Sequence, residues 1–204
     1  MDYVKNELAH GEKGHDWWHI YRVLQNARTI NQHENGDTLI VELASLLHDI
    51  ADSKFHHGDE SIGPYKAKGW LQSLGLDAGT TDHVIAIIEN MSFKSSLGKI
   101  NFTSKELQIV QDADRLDAIG AIGIARAFHY GGYKNREIYN PDVKPSRNLS
   151  KEEYKTSTGP TINHFYEKLL LLKDKMNTQM GKKMAEARHK FMEDYLDQFY
   201  KEWQ

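Results

Sequence analysis

The chain has 204 residues, of which 39% are hydrophobic and 27% charged, a composition typical of a folded protein with one domain. Its 26 basic and 29 acidic residues give a net charge of −3, which disfavours non-specific attraction to nucleic acid or to an anionic membrane. Because the chain has no cysteine, disulfides, thiolate metal sites and iron–sulfur clusters are excluded, and any metal would need histidine and carboxylate ligands.

Apolar residues recur at steps of three and four along most of the chain, which predicts an all-α helical bundle. Five helices are predicted in this order: from Trp17 to the breaker Asn35-Gly36, from an Asp37 cap into His48-Asp49, over 59–74, over 81–91, and from a Ser104 cap to about Phe128. The second of these is the most apolar, so we expect it to be the most buried.

The segment 131–160 is predicted to be a long loop, because it contains two adjacent glycines, three of the four prolines and few aliphatic residues. Loops of this length are often functional, and we expect this one to be mobile until substrate or a partner binds. Residues 161–203 predict two more amphipathic helices, a C-terminal hairpin packed on the first bundle. The whole chain, 1–204, is thus expected to be one domain with its functional core at about 15–130.

The first residues lack the basic and apolar pattern of a secretory signal, and the longest uncharged apolar run, Ala118 to Ala125, is too short to span a membrane. We therefore expect a cytoplasmic protein that binds neither membranes nor nucleic acid. The sequence leaves the oligomeric state open.

Two clusters in the first half of the chain contain residue types that bind metals. His15 and His19 are four residues apart, so they share one face of a helix and can serve one ion or one substrate. His48-Asp49 ends the most apolar helix, where an imidazole and a carboxylate are costly to bury without a metal, hydrogen-bond or charge partner. The alternatives are a pair of exposed histidines and an ordinary polar helix end.

A third cluster lies on the predicted fifth helix, where Asp112, Asp114 and Asp117 are interleaved with apolar residues. Asp114 and Asp117 share a face, whereas Asp112 lies about 200° around the helix from Asp114, so these two cannot both face one site. Each acid sits on a partly apolar stripe. Spacing alone therefore leaves the choice between Asp112 and Asp114 open.

Together these clusters resemble the signature of the HD-domain superfamily of metal-dependent phosphohydrolases, which has a lone histidine, a His-Asp pair and a distant aspartate. The matching residues are His19, His48, Asp49 and Asp114. The match spans about 15–120, and the remainder resembles the small stand-alone bacterial subgroup. The resemblance implies that these four residues, on three helices, bind a divalent ion, without distinguishing Mn, Mg, Co, Ni, Fe and Zn.

Two departures from the superfamily narrow this expectation. The alarmone-hydrolysing branch has two acids shortly after the His-Asp pair, where this chain has Asp52 and Ser53, which argues against a (p)ppGpp substrate. The two-metal branches have further histidines in a helix that here contains none over 87–91, so we expect a single ion. A second ion stays open as an alternative, because three other histidines lie in the same interval: His56, His57 and His83.

An ion with two imidazole and two carboxylate ligands keeps positions for water and for a phosphate oxygen. Asp52, three residues after Asp49, is our candidate general base. His15 is the candidate donor to the leaving oxygen, or a phosphate ligand. Lys54 and Arg115 are the candidate phosphate-binding cations.

Aromatic residues near these motifs are candidates for stacking on a base. Trp17 and Trp18 are expected to be core and rim residues, whereas three tyrosines near the glycine pair could line a lid: Tyr130, Tyr133 and Tyr139.

The sequence therefore predicts a phosphohydrolase that cleaves a phosphoester or phosphoanhydride bond of a nucleotide; by the resemblance alone, the substrate is a nucleoside triphosphate. One alternative is a non-catalytic metal- or nucleotide-binding module, whose metal site would be closed rather than open to water. Another is a zinc peptidase that uses His15 and His19 as ligands and Asp16 as the base. The peptidase leaves His48-Asp49 and the third cluster without a role.

Overall fold

The computed structural model describes residues 1–8, 16–51, 59, 61–91, 102–146 and 158–203. Within those residues the fold is all-α, without a β-strand, which confirms the predicted class. The helices are α1 (Asp2–Leu8), α2 (Trp17–Glu34), α3 (Thr38–Leu47), α4 (Ile62–Ser73), α5 (Ala78–Asn90), α6 (Lys105–Asp117), α7 (Gly120–Tyr133), α8 (Thr161–Glu167) and α9 (Gln179–Trp203). Two short 3₁₀ turns, Leu169–Leu171 and Lys173–Lys175, lie between α8 and α9.

The turn between α2 and α3 shows why the first predicted helix ends, and the second begins, where it does. Asp37 caps α3, since its carboxylate accepts hydrogen bonds from the backbone amides of Leu39 and Ile40 at 2.9 and 3.2 Å. At the end of α2, Asn35 adopts the left-handed conformation with φ of 55°. The Asn31 side chain binds both the amide and the carbonyl of Gly36, which holds this turn together.

The chain divides into two compact units, Met1–Asp114 and Arg115–Gln204, and the division falls within α6. In the N-terminal unit, α3 packs against α2 and α5, and α4 packs against α5. All seven residues from Val41 to Leu47 except Glu42 are buried, so α3 is the central helix, as its composition predicts. The apolar stripe of α2 is completely buried as well: Ile20, Val23, Leu24, Ala27 and Ile30.

The N-terminal helix α1 is not predicted from the sequence, because seven residues are too few to show helical periodicity. Its position is explained by two contacts with α4. The ring of Tyr3 stacks on that of Trp70 with centroids 4.9 Å apart, and Lys66 forms a 2.7 Å ion pair with Glu7.

The predicted fifth helix is wrong in one respect, because it consists of two helices. α6 ends at Asp117, and α7 begins at Gly120, which has a positive φ of 73°. The positive φ favours glycine, and a Cβ atom at Gly120 would lie in a tight contact, 3.1 Å from the Arg188 side chain. The apolar periodicity continues through the break, which is why the sequence pattern does not reveal it.

Buried polar contacts stabilise this break within the C-terminal unit. Asp117 is 1% exposed, and its carboxylate forms an ion pair with Arg126 of α7. Arg188 of α9 donates a hydrogen bond to the carbonyl of Leu116 at the end of α6. The last turn of α6 thus has a charged partner for its carboxylate and a side-chain donor for one of the carbonyls at its end.

The segment predicted as a loop is partly helical and partly anchored. α7 continues to Tyr133, and the following residues pair with α8: the amides of Thr161 and Ile162 donate to the carbonyls of Glu137 and Ile138 at 2.9 and 3.0 Å. Tyr139 packs against rings of α9, namely Phe199, Tyr200 and Trp203. Residues 147–157 of the predicted loop lie outside the described residues.

In the C-terminal unit, α7 packs against both α8 and α9. Phe165 of α8 is completely buried, and its ring lies 6.0 Å from those of Phe128 and Tyr195. Of the two helices predicted over 161–203, the first is short, since α8 ends at Glu167 and the leucine run that follows forms 3₁₀ turns. In the part of the chain that the structure describes, no helix combines the length and apolar character needed to cross a membrane.

Gly131 and Gly132 are neighbours in α7 with opposite surroundings. A Cβ atom at Gly131 would overlap Thr161 Oγ1, whereas one at Gly132 would meet no atom within 4 Å. We predict that Gly131→Ala lowers the free energy of unfolding by about 1–3 kcal/mol through overpacking. Gly132→Ala should raise it by about 0.5 kcal/mol, because alanine favours the helix. Urea unfolding followed by circular dichroism measures both changes.

Truncation of the Thr161 side chain is the control for Gly131→Ala. In a protein that already carries Thr161→Ala, the additional change Gly131→Ala should cost much less than it does in the wild type. Equal effects of the two glycine substitutions in the wild-type background would contradict the packing argument.

Candidate metal centre

His19 lies in the first turn of α2, and the N-cap of that helix sets the direction of the chain there. Asp16 is the N-cap, and its carboxylate accepts a hydrogen bond from the His19 backbone amide at 3.0 Å. The His19 side chain is only 1% exposed. The cap and the packing together direct the imidazole into the interior of the N-terminal unit.

His48 and Asp49 follow α3 in a turn, because the helix ends at Leu47 and the amide of Ile50 bonds back to the Leu47 carbonyl at 3.2 Å. The Nδ1 atom of His48 lies 2.9 Å from the carbonyl oxygen of Ser45. Since a carbonyl can only accept, we assign the proton to Nδ1, which leaves the Nε2 lone pair for a ligand. A carbonyl partner of this kind is typical of a metal-binding histidine.

Four side chains from three parts of the chain converge here. The ligand atoms of His19, His48 and Asp49 all lie within 4.8 Å of one another. Asp114 Oδ1 is 3.6 Å from His19 Nε2 and 3.9 Å from His48 Nε2, and Asp49 Oδ2 is 3.9 Å from His19 Nε2. Atoms that share one ion at about 2.0–2.2 Å are separated by roughly 3–4 Å, so these pairwise distances suit a common metal. Asp114 lies close to both imidazoles but is not one of the three residues whose ligand atoms are all within 4.8 Å of one another.

The burial of the cluster is uneven. The side chains of His19 and His48 are 1% and 5% exposed, whereas those of Asp49 and Asp114 are 19% and 42% exposed. The cluster is therefore closed on its histidine side and open on its aspartate side. His48 Nε2 is buried and has no hydrogen-bond partner among the described residues. A buried acceptor in that state is costly, and a cation would satisfy it.

The structure distinguishes the three acids of α6, which the sequence pattern leaves open. Asp114 is the one close to both imidazoles. Asp112 is completely buried, and Asp117 is paired with Arg126. Of the two candidates for a fourth ligand, the geometry near the histidines therefore favours Asp114.

The other predicted site residues either lie outside the described residues or have partners outside the cluster. His15, Asp52 and Lys54 lie outside the described residues, as do His56 and His57. Arg115 donates a 2.6 Å hydrogen bond to the carbonyl of Lys175 in the C-terminal unit. His83 belongs to another pair, with its Nε2 atom 3.5 Å from Glu106 Oε2.

The aromatic candidates divide into packed and exposed residues. Trp18 is 61% exposed and Trp17 is half-buried, with the Lys5 ammonium 4.8 Å from the Trp17 ring. Tyr139 is packed on α9, while Tyr130 and Tyr133 expose their rings to solvent.

Comparison with known proteins identifies the family of this arrangement. The HD domain family model matches residues 17–119, the stretch that contains all four converging side chains. The chain belongs to the HD-domain family. The predicted superfamily is thereby confirmed, and HD domains bind divalent metals.

Relatives match nearly the whole chain, and the chain has the fold of an HD-superfamily hydrolase. The protein YpgQ of Bacillus subtilis is 38% identical over 202 residues, which cover 98% of this chain and 90% of YpgQ. An HD-superfamily hydrolase from Bacillus thuringiensis is 44% identical, with a TM-score of 0.79 over 99% of this chain and 93% of that one. A crystal structure of YpgQ in complex with ADP has a TM-score of 0.76 and 37% identity, covering 98% and 96% of the two chains.

Two residues support the cluster in roles that are not predicted from the sequence. Asp16 stands out there only as the base of the peptidase alternative, although an aspartate just before a helical apolar pattern is the usual N-cap signal. Ser45 acts through its backbone carbonyl, and no side-chain pattern can reveal such a contact.

The capping role of Asp16 can be tested by two substitutions, one that removes the acceptor and one that keeps it. Asp16→Ala should lower the free energy of unfolding by about 1 kcal/mol, because it removes the acceptor for the His19 amide. Asp16→Asn keeps an acceptor oxygen and should stay within about 0.5 kcal/mol of the wild type. Urea denaturation measures both. A loss with asparagine as large as with alanine would contradict the cap.

Proposed function

We propose that the protein is a metal-dependent phosphohydrolase in which His19, His48, Asp49 and Asp114 bind one divalent ion. The proposed reaction is cleavage of a phosphoester or phosphoanhydride bond of a nucleotide, with nucleoside triphosphates as the expected substrates. The observation that carries the proposal is the convergence of two buried imidazoles and two accessible carboxylates in a chain of the HD-domain family.

The donor set fits a divalent cation, because imidazole and carboxylate ligands suit first-row transition metals and zinc, and the carboxylates also suit magnesium. Such an ion, when bound, lowers the pKa of a coordinated water and offsets negative charge at phosphorus. The His48 ring is held by the Ser45 carbonyl, so Nε2 keeps one direction. The exposed Asp114 side leaves room for an anionic substrate.

A nucleotide substrate is supported by the relative YpgQ, which has been crystallised in complex with ADP. YpgQ and this chain align over 98% of the present sequence. Nucleotide binding by this chain is an extension of that observation, and the same applies to the choice of a triphosphate.

The remaining roles are proposals for residues flanking the cluster. Asp52, three residues after Asp49, is assigned as general base, and His15, four residues before His19, as donor to the leaving oxygen or as a phosphate ligand. Lys54 and Arg115 are assigned to phosphate. A guanidinium has five N–H donors, so the bond from Arg115 to the Lys175 carbonyl is compatible with a phosphate contact.

The two alternatives fit this arrangement less well. A structural metal in a non-catalytic module is expected to be closed, yet the Asp114 side chain is 42% exposed. A zinc peptidase would need Asp16 as its base, but that carboxylate is bonded to the His19 amide as an N-cap.

The decisive experiment is metal-supplemented turnover of a nucleotide panel. Chelator-treated protein should be inactive, and Mn²⁺, Mg²⁺, Co²⁺, Ni²⁺, Fe²⁺ or Zn²⁺ should be added singly with nucleoside mono-, di- and triphosphates. Phosphate and pyrophosphate are detected separately, which identifies the bond that is cleaved. We expect ion-dependent hydrolysis of triphosphates. Absence of hydrolysis across the panel, in protein that binds the ions, would overturn the enzymatic proposal.

The ligand set predicts which substitutions remove the ion. His48→Ala and Asp114→Ala should each weaken ion binding at least about tenfold, since each removes a ligand. Asp112→Asn, which changes the other candidate acid of α6, should retain it. Isothermal titration with Mn²⁺ measures the affinities. Unchanged binding in His48→Ala would refute the assignment, and loss in Asp112→Asn but not in Asp114→Ala would transfer the fourth ligand to Asp112.

Asp52 is predicted to act in the chemical step rather than in ion binding. Asp52→Asn should keep the ion and lower kcat by about 10²–10⁴-fold, with a smaller change in KM, because a general base acts in the transition state. Steady-state kinetics and metal content measure the two effects. If Asp52 instead caps the following turn, asparagine preserves that function and kcat stays at the wild-type value.

A further inference from the structure

We propose that Asn26 is a positioning residue for Asp114, and that its hydrogen bond to α6 determines where the fourth ligand of the metal centre lies. This inference rests on the proposed function, because it assumes that Asp114 is a ligand. It concerns a residue that belongs to none of the sequence motifs and binds the backbone of α6.

The proposed ligands differ in the interactions that fix the positions of their side chains. His19 and His48 have side chains that are 1% and 5% exposed, so the surrounding core packs against their rings. His48 has in addition its hydrogen bond to the Ser45 carbonyl. The Asp114 side chain is 42% exposed, so packing contributes much less to its position. Its place beside the imidazoles depends on how the backbone of α6 is oriented.

Asn26 acts on that backbone one residue before Asp114. Its side-chain amide donates a buried 3.2 Å hydrogen bond to the carbonyl of Ala113, 87 residues away in the chain. That carbonyl belongs to the peptide group whose nitrogen is the amide of Asp114. A bond to it therefore fixes the peptide plane from which the Asp114 side chain departs.

The same helix supplies one of the other ligands. His19 and Asn26 are seven residues apart in α2, which places them within about 20° of one another on the same face. Both are buried, at 1% and 9% exposure. α2 therefore carries His19 and, two turns later, Asn26, which binds the backbone of α6 beside Asp114. This arrangement sets the 3.6 Å separation between His19 Nε2 and Asp114 Oδ1.

A purely structural role for Asn26 is the competing explanation, because a buried amide needs partners wherever it lies. Asn31 provides a matched control. It is the same residue type on the same helix, 8% exposed, and its amide binds the Gly36 carbonyl and Thr38 Oγ1 in the turn after α2. Its removal should destabilise the protein without disturbing Asp114.

The test compares Asn26→Ala with Asn31→Ala, using Co²⁺ alone as the probe. Titration followed by the visible absorption of Co²⁺ gives both the affinity and the coordination environment. We expect Asn26→Ala to weaken Co²⁺ binding by about 10–100-fold and to change the spectrum. Asn31→Ala should keep the affinity within about twofold and the wild-type spectrum, although its thermal stability falls at least as far.

Wild-type affinity and spectrum in Asn26→Ala would overturn the proposal, as would a loss of affinity in Asn31→Ala equal to that in Asn26→Ala. If Asn26→Ala does not unfold cooperatively, Asn26→Leu, which leaves no cavity and cannot donate, is measured against the same criteria. The underlying assignment is tested separately by His48→Ala. Unaltered Co²⁺ binding there refutes the metal centre, whereas a loss there with none in Asn26→Ala refutes only the positioning role.

Discussion

The candidate metal centre depends on one arrangement in the N-terminal unit, two buried imidazoles with the carboxylates of Asp49 and Asp114 beside them. Without a cation, the carboxylates repel each other and the buried nitrogen of His48 lacks a hydrogen-bond partner among the described residues. A cation between these groups would offset both costs. Such a site brings residues from α2, the turn after α3, and α6 to within about 4 Å, which requires those segments to be held firmly.

Apolar burial and helix capping hold most of these segments in place. The apolar character of α3 buries the helix between α2 and α5, and this carries His48 and Asp49 inward at its end. The Asp16 cap begins α2 so that His19 points into the same region. Polar contacts between distant segments, such as that of Asn26 with Ala113, then orient the helices. The histidine side chains are packed in the interior, while the Asp114 side chain stays accessible to solvent.

The fold could be predicted best where the signals are local. The Asp37 and Ser104 caps and the apolar stripe of α2 depend on residues a few positions apart, and the structure contains all three. The break between α6 and α7 could not be predicted, because it depends on the space left by Arg188 and on a positive φ at Gly120. The residues after Tyr133 look like a free loop in sequence, yet they pair with α8 through backbone atoms that carry no sequence signature.

The sequence by itself determined the chemistry that this protein can use. Its lack of cysteine restricts a metal to nitrogen and oxygen ligands, and the spacing of His19, His48-Asp49 and the acids of α6 limits the candidates to a few residues. Only the tertiary structure decided that Asp114, rather than Asp112, lies beside the imidazoles, that Asp16 is a cap, and that Asn26 contacts α6. The physical reason is that helical periodicity reports which face a residue occupies, whereas the neighbour of that face is set by packing between segments far apart in the chain.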